Sequence, residues 1–195
     1  MTKTVEFYYD YGSPAAYLAW TQLPDLCAKH GAQLVPFPIL LGGVFKAIGN
    51  QSPVVIEAKG VWMFGDLERH AARYGVSFSQ NPYFIINTLP LMRGAMWARS
   101  AGRLAEYDKV MFEAIWVNQK DMNDVTVIGE VLSEGGFDAA EVTAAVQDPQ
   151  FKGELIEVTG AAVERGLFGV PTMFVGDEMH FGQDRLDWVA RALAG

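Results

Sequence analysis

A serine followed by a proline, Ser13-Pro14, lies where an apolar strand pattern ends and a helical pattern begins. The serine oxygen can accept one of the backbone hydrogens that a helix start leaves unpaired, and a proline at the first helical position has none to satisfy. The remaining N–H groups and the positive end of the helix dipole meet at the same point. The sequence therefore predicts an anion site at Ser13, although an ordinary helix cap uses the same residues.

A second candidate is the segment Gly169-Val170-Pro171-Thr172, which precedes a predicted strand. A cis bond between Val170 and Pro171 would leave the backbone groups of Val170 free to pair with an extended peptide ligand. The alternative is a trans proline at the first residue of the strand, and the general rarity of cis bonds favours it.

Other kinds of catalytic site find little support. The three histidines and the single cysteine, Cys27, have no metal-ligand spacing, so no metal is predicted. Ser13 lies in no Gly-x-Ser-x-Gly sequence, and no histidine base is identified for it. Gly42-Gly43 alone is far short of a phosphate-binding loop. A lone cysteine within a predicted helix excludes an internal redox pair and indicates a buried, inert thiol.

The elements that must position these residues fall into two strand-containing groups. The first is a βαβ unit with a strand over 4–9, a helix from Ala15 to Cys27 and a strand over 32–38. Pro36 and Pro38 place that last strand at an edge, because proline has no N–H for a ladder. The second group has strands over 172–175 and 178–181 around a Gly176-Asp177 hairpin turn, then an amphipathic helix over 184–194.

Between these groups the pattern is helical. Helices are predicted over 44–49, 56–74, 91–104, 108–118, 125–133, 139–146 and 149–165. The helix over 56–74 has an apolar stripe that includes Val61, Phe64 and Leu67. This order is typical of an α/β protein with a thioredoxin-like fold and a large all-helical insertion. The expected domains are a discontinuous thioredoxin-like domain, 1–40 with 167–195, and an inserted helical domain, 41–166.

Composition excludes several functional classes. The chain has 195 residues, half of them hydrophobic, and a net charge of −8. It is long enough to bury a substantial core, and its charge disfavours nucleic acid as a partner because phosphate binding needs clustered cations. No apolar stretch reaches membrane-spanning length and no secretory signal pattern is present, so a cytoplasmic protein without a membrane partner is expected.

Four motifs occur in a fixed order along the chain. They are Tyr8-Tyr9-Asp10-Tyr11-Gly12-Ser13-Pro14, Ile48-Gly49-Asn50, Phe168-Gly169-Val170-Pro171-Thr172 and Phe181-Gly182-Gln183-Asp184-Arg185-Leu186. Together they resemble the 2-hydroxychromene-2-carboxylate isomerases and the kappa-class glutathione transferases, over nearly the whole chain. The resemblance implies a DsbA-like thioredoxin fold with a helical insertion, glutathione as cofactor and a homodimer.

The resemblance also implies roles for individual residues. Ser13 would contact the sulfur of glutathione, and Val170 would pair with its cysteinyl backbone. Asp184 would bind the glutamyl ammonium, while Gln183 and the amides of the last helix would take the glutamyl carboxylate. The other end of the tripeptide would contact Asn50 and Lys59.

Three further positions bear on the substrate and the sulfur. Lys46, one helical turn before Asn50, is the candidate cation for a substrate carboxylate. In some naphthalene-pathway members of the family the lysine stands one place earlier, where this chain has Phe45, and one residue turns a helix face by about 100°. Ala15 replaces an aromatic residue common in the family, which would enlarge the pocket beside Ser13. Asp10 either caps the turn or influences the bound sulfur.

The activity implied by the resemblance is a glutathione-dependent isomerisation. It would interconvert 2-hydroxychromene-2-carboxylate, or a related aromatic-pathway intermediate, and trans-o-hydroxybenzylidenepyruvate by conjugate addition of the thiolate, bond rotation and elimination. The aromatic segment 78–84, with Met92 and Trp97, would suit a flat apolar substrate, or would be core. The alternatives are a kappa-like transferase or peroxidase and a non-catalytic glutathione- or peptide-binding module. Disulfide exchange is rejected because Ser13-Pro14-Ala15-Ala16 has no thiol.

Overall fold

The structure is a computed structural model that describes residues 2–195. Its strands are β1 (Thr4–Tyr9), β2 (Gln33–Pro38), β3 (Thr172–Val175) and β4 (Glu178–Phe181). Its helices are α1 (Pro14–Lys29), α2 (Leu41–Ile48), α3 (Glu57–Tyr74), α4 (Leu89–Ser100), α5 (Leu104–Trp116), α6 (Val125–Glu134), α7 (Ala139–Gln147), α8 (Pro149–Glu164) and α9 (Leu186–Ala194). Short 3-10 turns occupy Pro53–Val55 and Gln183–Arg185. The order is the predicted one: βαβ, helices, then ββα.

The four strands form one mixed sheet in the order β2-β1-β3-β4. β1 runs parallel to β2 and antiparallel to β3, and β3 pairs with β4 through the predicted hairpin. β2 lies at the edge, as its two prolines predicted, because an edge strand has one side without ladder partners. In the register of β1 with β3, Tyr8 faces Thr172, so the end of β1 lies beside the residues that precede β3.

Successive side chains of β1 point alternately into two hydrophobic clusters on opposite faces of the sheet. Phe7 and Tyr9 point into the main core, which also contains residues of α1, α4 and α5. Tyr8 points to the opposite face and packs in a smaller cluster with Phe174 of β3 and Ala162 of α8. This alternation is the ordinary period of a strand with both faces covered. The main core thus includes side chains from both predicted domains, and their division at 41 and 166 stays a prediction.

The apolar stripe of α3 differs from the predicted one at its first turn. Val61 is 72% exposed, whereas Phe64 and Leu67 are buried as predicted. The reason is that Gly60, not Val61, faces the neighbouring 3-10 turn, where a Cβ on Gly60 would lie 3.5 Å from the Cα of Val54. The buried line therefore runs through Gly60, Phe64, Leu67 and Ala71.

The last helix begins two residues later than predicted. Asp184 lies in the 3-10 turn, and α9 starts at Leu186. Its inward residues, Leu186, Val189 and Leu193, are buried as the periodicity predicted. Within residues 2–195, no helix is both long enough and apolar enough to cross a membrane.

Candidate functional site

Ser13 occupies the connection between β1 and α1 and is only 6% exposed. Its Oγ accepts a hydrogen bond from the N–H of Ala16 at 3.1 Å, which confirms the predicted N-cap. The same hydroxyl donates to the carbonyl oxygen of Val170 across a longer 3.3 Å separation. Because that second bond is long, the hydroxyl hydrogen is available to a stronger acceptor that enters beside it.

Two backbone donors lie beside this hydroxyl. The N–H of Ala15, in the first turn of α1, has no acceptor within residues 2–195, and neither has the N–H of Val170. Pro14 has no N–H to satisfy, as expected at the start of a helix. The β1–α1 turn and the Val170 segment, joined by the bond from Ser13 to Val170, therefore contain one hydroxyl and these two amide donors.

The Val170 segment is fixed by its own turn. The Val170-Pro171 peptide bond is cis, the less common of the two states considered from the sequence. The hydroxyl of Thr172 donates to the carbonyl oxygen of Gly169 at 2.8 Å, and the N–H of Gly182 donates to that of Pro171 at 2.9 Å. The segment thus lies between β1 and the residues that follow β4.

Asp10 joins the β1–α1 turn to the start of α2. It is 1% exposed, and its two carboxyl oxygens accept hydrogen bonds from the N–H groups of Gly12 and Leu41, each at 2.8 Å. Burial raises the pKa of Asp10, while the hydrogen bonds from Gly12, Leu41 and Thr88 oppose that rise. The sequence left two roles open for Asp10, and the structure shows the first, because its carboxyl group caps the β1–α1 turn. The same carboxyl group also accepts a hydrogen bond from the first residue of α2.

A cavity of about 690 Å³ opens beside Ser13, between the β1–α1 turn, α2, the loop before α4 and the Phe168–Val170 segment. Its apolar lining includes Phe45, Met63, Phe84 and Ile86. Within the part of the chain that the structure describes, Asp10 is its only charged lining residue. A mostly apolar cavity with a few convergent donors is the usual form of a small-molecule site.

The structure brings some of the predicted site residues to this cavity and leaves others outside. Ser13, Asn50 and Val170 line it, together with Ala15. Lys46 and Lys59 are exposed and lie outside the lining, and Phe45 takes the place at the wall that Lys46 was expected to fill. The reason is the 100° step between adjacent helical residues.

Gln183 and Asp184 also lie outside the cavity wall, on the 3-10 turn after β4. Gln183 is buried, its carbonyl oxygen accepts from the Tyr74 hydroxyl at 2.8 Å, and its side-chain Oε1 has no hydrogen-bond partner. Asp184 is exposed and pairs with its neighbour Arg185. No group of three or more His, Cys, Asp or Glu side chains between residues 2 and 195 is placed to hold a metal ion.

The aromatic residues expected near a flat substrate divide between cavity and core. Phe84 lines the cavity, but Phe78 stacks on Tyr17 and Trp116. Met92 and Trp97 are buried in the main core. For these last two residues the core alternative is the correct one.

Sequence reasoning missed Asp108. This residue of α5 is 3% exposed, and its Oδ1 accepts hydrogen bonds from the hydroxyls of Tyr9 and Tyr11, both at 2.6 Å. Burial raises its pKa to about 7, against the opposing effect of the two phenol hydrogen bonds. Trp116 of the same helix donates to the carbonyl oxygen of Tyr11 at 2.8 Å, so α5 holds the segment that leads to Ser13. The sequence did contain a signal for this burial. Asp108 lies four residues before Phe112, so both side chains lie on the same, buried face of the helix.

Comparison with known proteins places these features in a family. A model of the DSBA-like thioredoxin domain matches residues 4–194. A 2-hydroxychromene-2-carboxylate isomerase of Sphingobium xenophagum is 34% identical, over 97% of this chain and 97% of that protein. Glutathione S-transferase kappa 1 of Homo sapiens is 26% identical, over 99% of this chain and 92% of that protein.

A solved structure of a 2-hydroxychromene-2-carboxylate isomerase superposes with a TM-score of 0.88. It is 31% identical, and the match covers 98% of this chain and 94% of that one. The predicted fold class, a thioredoxin-like α/β fold with a helical insertion, is confirmed.

Proposed function

Since the chain belongs to the DSBA-like thioredoxin family and, within it, to the 2-hydroxychromene-2-carboxylate isomerases, we propose that it is a glutathione-dependent isomerase. The reaction interconverts 2-hydroxychromene-2-carboxylate, or a related aromatic-pathway intermediate, and trans-o-hydroxybenzylidenepyruvate. The observation that carries the glutathione dependence is the position of Ser13. A hydroxyl at a helix start, beside two unpaired amides and a large apolar cavity, is suited to a thiolate from another molecule.

The donors around Ser13 can supply the free energy that this role needs. A thiol ionises near pH 8.5, so a decrease of about two pKa units requires roughly 2.7 kcal/mol of preference for the thiolate. A hydrogen bond to a charged group contributes about 1.5–3 kcal/mol, and a helix N-terminus adds about 0.3–1 kcal/mol. When bound, glutathione supplies the sulfur nucleophile that makes the reacting double bond temporarily single.

The protein groups fit the cysteinyl part of glutathione. Ser13 holds the sulfur, and the unpaired N–H of Val170 pairs with the peptide backbone. Asn50, which also lines the cavity, contacts the other end of the tripeptide. Gln183 and Asp184 stay predicted contacts of the glutamyl end; they follow Gly182, whose N–H donates to the carbonyl oxygen of Pro171 next to Val170.

Several parts of the proposal rest on the resemblance alone. The roles of Lys46 and Lys59 stay predictions, since both side chains are exposed and neither lines the cavity. The homodimer and the cytoplasmic location also stay predictions.

The test is a glutathione-dependent turnover assay. The chain is supplied with the chromene carboxylate, with and without glutathione, and the benzylidenepyruvate chromophore is followed. Wild type should turn over only with glutathione, and Ser13→Ala should lose roughly 100-fold or more in kcat/KM, as for removal of one anion-stabilising donor. The matched control is Ser133→Ala, because Ser133 is an exposed serine of α6 whose hydroxyl donates only to the carbonyl oxygen of Gly129 in its own helix.

A second measurement separates the binding role from the reaction. Thiolate absorbance of glutathione, titrated in the presence of each protein, should give a lower thiol pKa with wild type than with Ser13→Ala. Equal pKa values would remove the sulfur-holding role. Conjugation of a halodinitrobenzene without isomerisation would identify a kappa-like transferase, and binding without turnover a glutathione-binding module.

A further inference from the structure

A second cavity, of about 420 Å³, lies between α2, α4 and α8. Leu40 and Leu89 line both this cavity and the larger one beside Ser13, so the two share a wall. The remaining walls are largely apolar, with Leu155, Ile156 and Val163 of α8 among them. Nothing in the proposed isomerisation uses this space.

Arg93 of α4 lines the second cavity and has no partner. Its side chain is partly buried, and its Nε is buried without an acceptor. Within residues 2–195, its guanidinium forms no ion pair and no hydrogen bond. The other arginines provide the contrast. Arg69, Arg99, Arg103, Arg165 and Arg185 each pair with a carboxylate, Arg191 lies over the ring of Trp188, and Arg73 is exposed.

The buried Nε–H of Arg93 is costly as it stands, because it has lost water without gaining an acceptor among the described residues. The cost disappears when an anion enters the cavity and accepts hydrogen bonds from the guanidinium fork, whose geometry matches a carboxylate. The other charged lining residues are Lys152 and Glu164, so the lining carries a net charge of +1 in a chain whose total is −8. Lys152 donates one of its three ammonium hydrogens to Gln147 at 3.2 Å, whereas Arg93 donates to no acceptor in the part of the chain that the structure describes.

We propose that this second cavity binds a small amphipathic monocarboxylate, with its carboxylate on Arg93 and its apolar body against α8. The proposal is independent of the isomerase activity, since Arg93 and the residues of α8 that carry it do not line the cavity beside Ser13. The apolar body is required because the walls offer few polar partners, and a single carboxylate is required because one guanidinium is unpaired.

The experiment uses 4-bromobenzoate as the probe. Calorimetric titration of the full chain measures its affinity, and anomalous scattering from bromine in crystals locates it. Wild type should bind in the second cavity, and Arg93→Met should bind roughly thirtyfold more weakly, as expected for loss of one partner of a buried charge pair. Arg73→Met, which removes an exposed arginine of α3, should bind like wild type.

A cavity-filling variant provides an independent arm. Gly160 of α8 lines the cavity, and a Cβ built on it meets no atom within 4 Å, so Gly160→Leu should fill the space and abolish binding without disturbing the helix. Gly153→Leu is the matched control, because Gly153 is on the same helix, has equally open space and lies outside this lining. This pair keeps the proposal testable if Arg93→Met does not fold.

Several outcomes would overturn the proposal. They are absence of binding to wild type, equal affinity in Arg93→Met or Gly160→Leu, and bromine located only beside Ser13. Equal binding of uncharged bromobenzene would eliminate the carboxylate requirement, and equal Arg93-dependent binding of inorganic phosphate would eliminate the apolar body. Displacement of 4-bromobenzoate from wild type by other aryl carboxylates, but not by phosphate, is the expected result.

Discussion

Asp10 and Asp108 are both almost fully buried carboxyl groups, but they differ in what donates to them. Asp10, beside Ser13, accepts hydrogen bonds from the backbone N–H groups of Gly12 and Leu41. Asp108, in α5, accepts from the side-chain hydroxyls of Tyr9 and Tyr11. Burial raises the pKa of both groups, and that of Asp108 reaches about 7.

This difference in donors shows which part of the structure each carboxyl group holds in place. Backbone N–H groups belong to the main chain and can only donate, so Asp10 sets the path of the main chain at the cavity and joins two helix starts. Phenol hydroxyls donate to a neutral carboxyl group and more strongly to an ionised one, so Asp108 keeps these bonds to the aromatic cluster under the same turn while it titrates near neutral pH. The first carboxyl group shapes the site directly, and the second acts through the packing of Tyr11.

The largest effect is expected from Asp10→Ala. The change leaves two buried N–H groups, those of Gly12 and Leu41, without acceptors, and should lower the free energy of unfolding by about 3 kcal/mol. Urea denaturation measures this loss, and turnover of the chromene carboxylate should fall roughly 100-fold because Ser13 loses its support. Asp25→Ala, at an exposed position of α1, is the control. A loss below about 1 kcal/mol would show that the turn does not depend on this carboxyl group.

A pH series with Asp108→Asn should give the next largest effect. The folded protein keeps the Asp108 proton up to about pH 7, whereas the unfolded chain releases it near pH 3.8. Wild-type stability should therefore fall relative to the variant as pH rises through this window, by at most about 1.4 kcal/mol per pH unit. From pH 5 to 6.5 the difference should change by about 2 kcal/mol in urea denaturation, and it should be level above the folded-state pKa. A constant difference across this range would contradict a neutral Asp108 at low pH.

Tyr11→Phe removes one of the hydroxyls that donate to Asp108 and leaves the accepting carboxyl group in place. Loss of one hydroxyl should cost about 1.5 kcal/mol at pH 8, where Asp108 is ionised, and about 0.5–1 kcal/mol at pH 5, where it is neutral. The variant should also raise the pKa of Asp108 further, because the Tyr11 hydrogen bond lowers it. Tyr9→Phe is the matched companion with the same 2.6 Å bond. Equal losses at both pH values would mean that the hydroxyls do not sense the charge.

The smallest effect is expected at an exposed aspartate. Asp138 caps α7 by accepting from the N–H groups of Ala140 and Glu141, and Asp138→Ala should cost about 1 kcal/mol in urea denaturation. The isomerase kcat/KM should stay unchanged, because this cap lies outside both cavities. A loss of activity in Asp138→Ala would show that a carboxyl group outside both cavities affects the site as Asp10 and Asp108 do.

The parts of the fold that the sequence predicted well depend on short-range interactions. β1, β3 and β4 have the predicted bounds, and Ser13 caps the helix that it was expected to cap. A cap, a hairpin turn and an apolar period each involve residues within about four positions of one another, so local sequence is enough to specify them. Ser13 and Val170 were placed at one site by the family resemblance, and the structure brings them into contact.

The remaining features depend on how distant segments pack. Asp108 was expected at a helix start, where an acidic residue is ordinary, but the helix begins four residues earlier and the side chain turns into the core toward Tyr9 and Tyr11. Phe45 lines the cavity where Lys46 was expected, because the neighbours of α2 set the rotation of this helix about its axis. The unpaired Arg93 emerges only when α4 and α8 meet. The sequence by itself determined the elements, their order and the hydroxyl at the start of α1. Tertiary packing decided which charged groups are buried and which residues they contact, because burial and partners depend on contacts between residues far apart in the chain.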